Sequence, residues 1–182
     1  MTGFVEKVLA LDAYLRDGGF TYSFGGAISL SYHVESPRAT ADIDVNITLD
    51  VIDAETLLQA LPSGVRWDEK DLSQIRRTGQ VRLFWAETPV DLFFPQHVLH
   101  DLVATRSVSV PFAGTRIPII SATDLTIFKA MFDRPKDWVD IDGMVAYGSP
   151  DVAEVRRWLV ELLGADDHRL ARLDEIVRSS AG

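Results

Sequence analysis

Two aspartates separated by one residue, Asp42 and Asp44, are the clearest candidates for chemistry in this chain of 182 residues. They lie in the run 41–49, where apolar and polar residues alternate as in a strand with two different faces. Side chains at positions i and i+2 share a face, so we expect both carboxylates to point the same way. The apolar residues of the run, Ala41, Ile43, Val45 and Ile47, would then face the core. Neighbouring carboxylates repel unless a cation or a proton lies between them, and Mg²⁺ prefers one or two carboxylates together with phosphate oxygens. A metal site is therefore one hypothesis, and a solvated strand face is the other.

A glycine pair, Gly25-Gly26, comes shortly before these aspartates. It follows a strand-like run at 20–24 and precedes a helical pattern that begins at Ala27. Glycine lets the backbone adopt positive φ and approach a ligand closely, and the free amides at a helix start attract an anion such as a triphosphate. Most such pairs are only turns. The short distance in sequence from this pair to Asp42 and Asp44 is what favours a binding site.

A third carboxylate, Asp91, belongs to the strand-like run 89–94. Val90, Leu92 and Phe94 share one face of that run, and Asp91 faces the other way. If the apolar face joins the core, Asp91 lies on the same side of the sheet as the aspartate pair. The alternative is a charge at an exposed strand position.

These three motifs together resemble the DNA polymerase beta-like nucleotidyltransferase superfamily. Its pattern is a glycine pair or Gly-Ser that opens a helix, an Asp-x-Asp on the following strand, and a later Asp. The match covers residues 20–95, with the three parts in the expected order. One departure is Gly26, because many members have serine there.

The resemblance implies two-metal catalysis of nucleotidyl transfer. Asp42 and Asp44 would bind both metal ions, and Asp91 would bind one ion and contact the acceptor hydroxyl. The implied cofactor is Mg²⁺ or Mn²⁺, and a nucleoside triphosphate is the implied co-substrate. The residues implied or considered as contacts of the triphosphate are Gly25, Gly26, Ser29, Arg38 and Thr40.

The segment 121–140 resembles nucleotidyltransferase toxins of the AbiEii and MenT type, which carry a helical lysine followed by an Arg-x-x-Asp-x-x-Asp pattern. The resemblance implies that Lys129 contacts the triphosphate and that Asp137 or Asp140 supports the site. The alternatives are a solvated lysine, and an Asp137 that only favours the dipole of a helix opened by Pro135. A tRNA 3′ end and a cognate antitoxin protein are the implied partners.

The order of elements predicts an α/β (α+β) fold, a mixed sheet flanked by helices, with a C-terminal helical extension. The resemblance implies that this is the minimal nucleotidyltransferase fold. We expect a catalytic core over 1–120 and an extension over 121–182 that packs on it. The run 65–78 is ambiguous. The other predicted strands are 20–24, 41–49, 80–85, 89–94, near 108–112 and near 116–120, and the predicted helices are 4–17, one starting at 27–33, 54–61, 96–105, 121–132, 135–147, 151–163 and 166–179.

Composition narrows the function classes further. The chain contains no cysteine, which excludes disulfides and thiolate metal sites, and none of its apolar runs approaches the ~18 residues of a membrane span. We therefore expect no signal peptide, a cytoplasmic location and no membrane partner. The net charge of −9 disfavours broad binding to nucleic acid. Three basic clusters keep a local groove possible: Arg76, Arg77 and Arg82; Lys129, Arg134 and Lys136; and Arg169, Arg172 and Arg178.

The leading hypothesis is therefore transfer of a nucleoside monophosphate from a triphosphate to a hydroxyl, with release of pyrophosphate. The toxin resemblance implies tRNA as the acceptor, while a protein side chain or an aminoglycoside or lincosamide antibiotic stays open. The rival from another class is a non-catalytic module that binds a nucleotide or a protein partner.

Overall fold

The computed structural model describes residues 3–180, which form two compact units. The first unit contains residues 3–28 and 39–120, and the second contains 29–38 and 121–180. One break falls after residue 120, and the expected division into a catalytic core and an extension stays a prediction. The grouping of 29–38 with the second unit was not predicted.

The first unit carries one mixed sheet. Its strands are β1 (Tyr22–Phe24), β2 (Ile43–Ile47), β3 (Val65–Arg66), β4 (Gln80–Trp85), β5 (Thr88–Phe93), β6 (Val108–Phe112) and β7 (Thr115–Ile119). Its helices are α1 (Phe4–Asp17), α3 (Ala54–Ala60), α4 (Glu69–Thr78) and α5 (Val98–Arg106), while the short α2 (Gly26–Leu30) continues into residues of the second unit.

Among the described residues the sheet has seven strands in the order β3-β4-β5-β2-β1-β7-β6. The pairs β2–β5 and β1–β7 are parallel, and the other neighbours are antiparallel. The predicted mixed α/β architecture is confirmed.

Alternation along β2 produces its buried face. Ile43, Val45 and Ile47 are at most 3% exposed, as predicted. Ala41 was expected on the same face, but it is exposed and precedes the strand. The reason is local: the hydroxyl of Thr40 accepts a hydrogen bond from the amide of Asp42, and this turn competes with the sheet ladder.

The ambiguous run 65–78 forms β3 and α4. Asp68 caps the helix by accepting from the amides of Lys70 and Asp71, and the side chain of Asp71 accepts from the amide of Asp68. Gly79, with φ of +67°, ends the helix in the left-handed conformation.

The second unit is helical beyond residue 121. Its helices are α6 (Ala122–Phe132), α7 (Pro135–Ala146), α8 (Val152–Leu163) and α9 (His168–Ser180), which confirms the four predicted helices. Their shared core includes Ile127, Trp138, Met144 and Leu159, each at most 2% exposed. Along residues 3–180, every helix falls short of the length and apolar character needed to cross a membrane.

Candidate metal-binding site

Asp44 and Asp91 are direct neighbours on two parallel strands. The register of β2 and β5 places Asp44 opposite Asp91, between the buried pairs Ile43–Val90 and Val45–Leu92. Because successive side chains point to opposite faces, the two aspartates share the face that is not buried in the apolar core. The structure thus brings together two of the three predicted carboxylates.

Arg82 links Asp42, the remaining predicted carboxylate, to this pair. It lies on β4 opposite Asp91, and its Nη2 atom is 2.6 Å from Oδ2 of Asp91 and 3.6 Å from Oδ2 of Asp42. Its Nε atom donates to the other oxygen of Asp91 at 2.7 Å. Asp42 and Asp91 therefore approach the same guanidinium nitrogen.

The electrostatics of the cluster agree with this geometry. The hydrogen bond and charge of Asp91, followed by the charges of Asp42 and Asp44, raise the pKa of Arg82 above its usual range. Sequence reasoning counted Arg82 only among basic surface residues. The signal that could have found it is a two-residue turn at Ala86 and Glu87, which places Arg82 opposite Asp91.

The glycine pair lies against Asp44. The amide of Gly25 donates to the carbonyl oxygen of Asp44 at 2.8 Å. Gly26 has φ of +49°, and a Cβ atom there would lie 1.8 Å from Oδ2 of Asp44. The helix that begins at Gly26 has only five residues, so its dipole is weak, and the glycine pair instead allows the backbone to approach the carboxylate of Asp44 closely.

The three carboxylates suit a hard divalent cation, because carboxylate oxygens are the ligands that Mg²⁺ and Mn²⁺ prefer. A cationic guanidinium already lies against two of them, and Gly26 leaves room for Asp44. Within residues 3–180, however, no three acidic or histidine side chains are already arranged around a single point as metal ligands.

Thr40 and Arg38, both considered as phosphate contacts, have other partners. Thr40 holds the turn before β2 through the amide of Asp42, at 3.1 Å. Arg38 donates from Nε and Nη2 to the two oxygens of Asp140, each at 3.3 Å. Ser29, the remaining predicted phosphate contact, is fully buried.

Lys129 lies in a buried ion-pair network of the second unit. Its Nζ atom is 2.6 Å from Oδ2 of Asp140 and 3.6 Å from Oδ1 of Asp137, and the residue is 5% exposed. Arg134 contacts the other oxygen of Asp137 at 2.6 Å. Burial raises the pKa of Asp137, but the hydrogen bond and charge of Arg134 and the charge of Lys129 outweigh it and lower the pKa. This network favours a structural role for Lys129 and Asp137, and their implied catalytic roles remain predictions.

The second unit also contains a cleft of about 440 Å³. Leu30, Val34 and Tyr147 contribute apolar surface to it, and Glu35 and Asp142 contribute carboxylates. Ser36 and the mutually paired Arg38 and Asp140 are also part of its polar lining.

Comparison with known proteins supports the fold. An antigenic nucleotidyltransferase-like protein from Paracoccidioides brasiliensis is 18% identical, with a TM-score of 0.54 over 92% of this chain and 91% of the other. The antibiotic-resistance factor ANT(2″)-Ia is 12% identical, with a TM-score of 0.52 over 96% of this chain and 89% of the other. No family model and no curated protein sequence matches the chain. The chain has the nucleotidyltransferase fold that the sequence predicted.

Proposed function

We propose that this protein is a metal-dependent nucleotidyltransferase whose metal ligands are Asp42, Asp44 and Asp91. The pairing of Asp44 with Asp91 across two parallel strands is the observation that carries the proposal. The close approach of Gly26 to Asp44 adds to it, because a side chain at position 26 would displace that carboxylate. Both features occur on a nucleotidyltransferase fold.

In the proposed reaction an acceptor oxygen attacks the α-phosphorus of a nucleoside triphosphate. The bond from that phosphorus to the oxygen bridging it to the β-phosphate breaks, and pyrophosphate leaves. Bound divalent cations would lower the pKa of the acceptor hydroxyl and neutralise the leaving pyrophosphate. Asp91 takes the proton of the acceptor hydroxyl, while Asp42 and Asp44 would hold the divalent cations.

A tRNA 3′ end is the acceptor that the toxin resemblance implies, and binding it requires basic side chains directed to phosphates. Each basic cluster instead has members engaged with nearby carboxylates. Arg82 pairs with Asp91, Lys129 with Asp140, and Arg169 with Asp167 at 2.8 Å. This pairing reduces the positive charge available to RNA.

A small cationic molecule is the second candidate acceptor. The cleft of the second unit combines apolar surface from Val34 and Tyr147 with the carboxylates of Glu35 and Asp142. Such a lining suits a ligand with amino groups. The antibiotic-resistance factor among the structural neighbours agrees with this alternative.

The test is label transfer from each α-³²P-labelled nucleoside triphosphate in the presence of Mg²⁺. The acceptors offered are total tRNA, a protein extract and a mixture of aminoglycosides and lincosamides. Asp44→Asn is the test variant, because it removes the charge and keeps the shape. Glu87→Gln is the matched control, because Glu87 is exposed in the turn between β4 and β5.

Label on one acceptor class, kept by Glu87→Gln and lost by Asp44→Asn, would establish the reaction and its substrate class. Tight triphosphate binding without transfer to any acceptor would identify the rival function, a non-catalytic nucleotide-binding module.

A further inference from the structure

Arg82 occupies the position between two of the proposed metal ligands. Its Nη2 atom lies 2.6 Å from Asp91 and 3.6 Å from Asp42, and its Nε atom completes a two-pronged contact with Asp91. Both oxygens of Asp91 accept from this one guanidinium. Since a guanidinium stays charged at any physiological pH, the contact offsets part of the negative charge that a metal ion would need.

A divalent cation and this guanidinium compete for the oxygens of Asp91. Magnesium binds carboxylate oxygens at about 2.1 Å, and a guanidinium bonded to the same oxygens would bring a like charge close to it. The side chain of Arg82 is 53% exposed, so it can rotate away from Asp91 into solvent. The obstacle to metal binding is therefore movable.

We propose that Arg82 is a resident counter-ion that a divalent cation displaces, so that its displacement sets the metal concentration at which the site fills. The inference rests on the proposed function, because it takes Asp42 and Asp91 as metal ligands. It adds a role for a residue that neither the motif nor the fold assigns.

The first test measures Mn²⁺ binding by the loss of the free-ion electron paramagnetic resonance signal, without nucleotide or acceptor. Arg82→Gln is compared with the natural protein and with Arg76→Gln, whose arginine contacts only Glu55, at 3.9 Å, among the ion pairs that the structure shows within residues 3–180. We expect Arg82→Gln to bind Mn²⁺ at least about tenfold more tightly, since one opposing charge is removed. Arg76→Gln should match the natural protein. Unchanged or weaker binding by Arg82→Gln would overturn the proposal.

The second test uses the natural protein, so it does not depend on the folding of a variant. The Nε–Hε signal of Arg82 is followed by NMR during a Mg²⁺ titration. We expect it to shift and to exchange faster with water as the hydrogen bond to Asp91 breaks. A signal that stays in place while the metal site saturates would contradict displacement, and so would the absence of metal binding at millimolar concentration.

Both readouts are independent of catalysis. Displacement without nucleotidyl transfer would refute the proposed function and leave the counter-ion role standing. Nucleotidyl transfer while Arg82 remains bound to Asp91 would refute the counter-ion role and leave the proposed function standing.

Discussion

Oδ2 of Asp44 lies in the space that a side chain at Gly26 would require, because a Cβ atom there would come within 1.8 Å of it. The serine found at this position in many members of the superfamily that this chain resembles therefore cannot be accommodated without moving Asp44. Glycine at position 26 and the present orientation of Asp44 depend on each other.

We predict that Gly26→Ser moves Asp44 and lowers both Mn²⁺ affinity and nucleotidyl transfer by at least about tenfold, because a metal ligand is displaced. The left-handed backbone adds a cost of about 1–2 kcal/mol for any residue with a Cβ atom. Gly19→Ser is the control, since Gly19 has φ of +73° and a Cβ atom added there would meet nothing within 4 Å. If both variants lose the same stability and neither loses metal affinity, Gly26 serves only the turn.

Asp91→Asn should strongly reduce transfer with little effect on folding. The proton acceptor and one metal ligand are lost, and we expect kcat/KM to fall by about 10²-fold or more. The ion pair with Arg82 is partly exposed, so the free energy of unfolding should change by no more than about 1 kcal/mol. Urea denaturation and initial-rate measurements on the same preparation check both parts. A large loss of stability would show that Asp91 acts mainly in the sheet.

Lys129→Met distinguishes the structural role of the buried lysine from the triphosphate contact that the toxin resemblance implies. It would leave the carboxylates of Asp137 and Asp140 buried with one cation fewer, and we expect it to cost about 3–5 kcal/mol of stability. Lys136→Met is the control, because Lys136 is exposed on α7. A stable but inactive Lys129→Met protein would support the catalytic role instead.

The free energy of unfolding should decrease at acidic pH, and protonation of Asp137 should contribute to this decrease. The pKa of this group is below its ordinary 3.8 in the folded protein, despite burial, because Arg134 and Lys129 favour the carboxylate. The unfolded chain then binds more protons than the folded one below about pH 4, so stability present above that pH is lost as the pH falls.

We predict that Asp137→Asn is less stable near neutral pH and has a shallower decline below about pH 4. Unfolding free energies measured from about pH 6 to about pH 3 check this, with Asp142→Asn, an exposed position on the same helix, as the control. An unchanged acid slope in Asp137→Asn would exclude the contribution of this carboxylate.

Patterns along single elements were predictable, because they depend on local physics. Alternation in β2 and β5 predicted the burial of Val45 and Leu92 and the shared face of Asp44 and Asp91. The cap at Asp68 and the stop at Gly79 were also present in the sequence, so α4 could have been predicted from the ambiguous run.

Partnerships across elements were not predictable to the same degree. The contact of Arg82 with Asp91 requires the pairing register of β4 and β5, which the turn at Ala86 and Glu87 determines. The ion pair of Lys129 with Asp140 forms because α6 packs on α7. The sequence around Lys129 does not indicate this packing.

The parallel pairings at the centre of the sheet also have a consequence for synthesis. β2 ends at residue 47 and its partner β5 runs from 88 to 93, while β1 ends at residue 24 and its partner β7 runs from 115 to 119. Long-range pairing of this kind forms slowly, because the chain loses the entropy of a long loop before any strand contact offsets that loss. On the ribosome, Asp44 therefore has no neighbouring strand at Asp91 until residue 93 has emerged, and the nascent chain acquires its carboxylate cluster late.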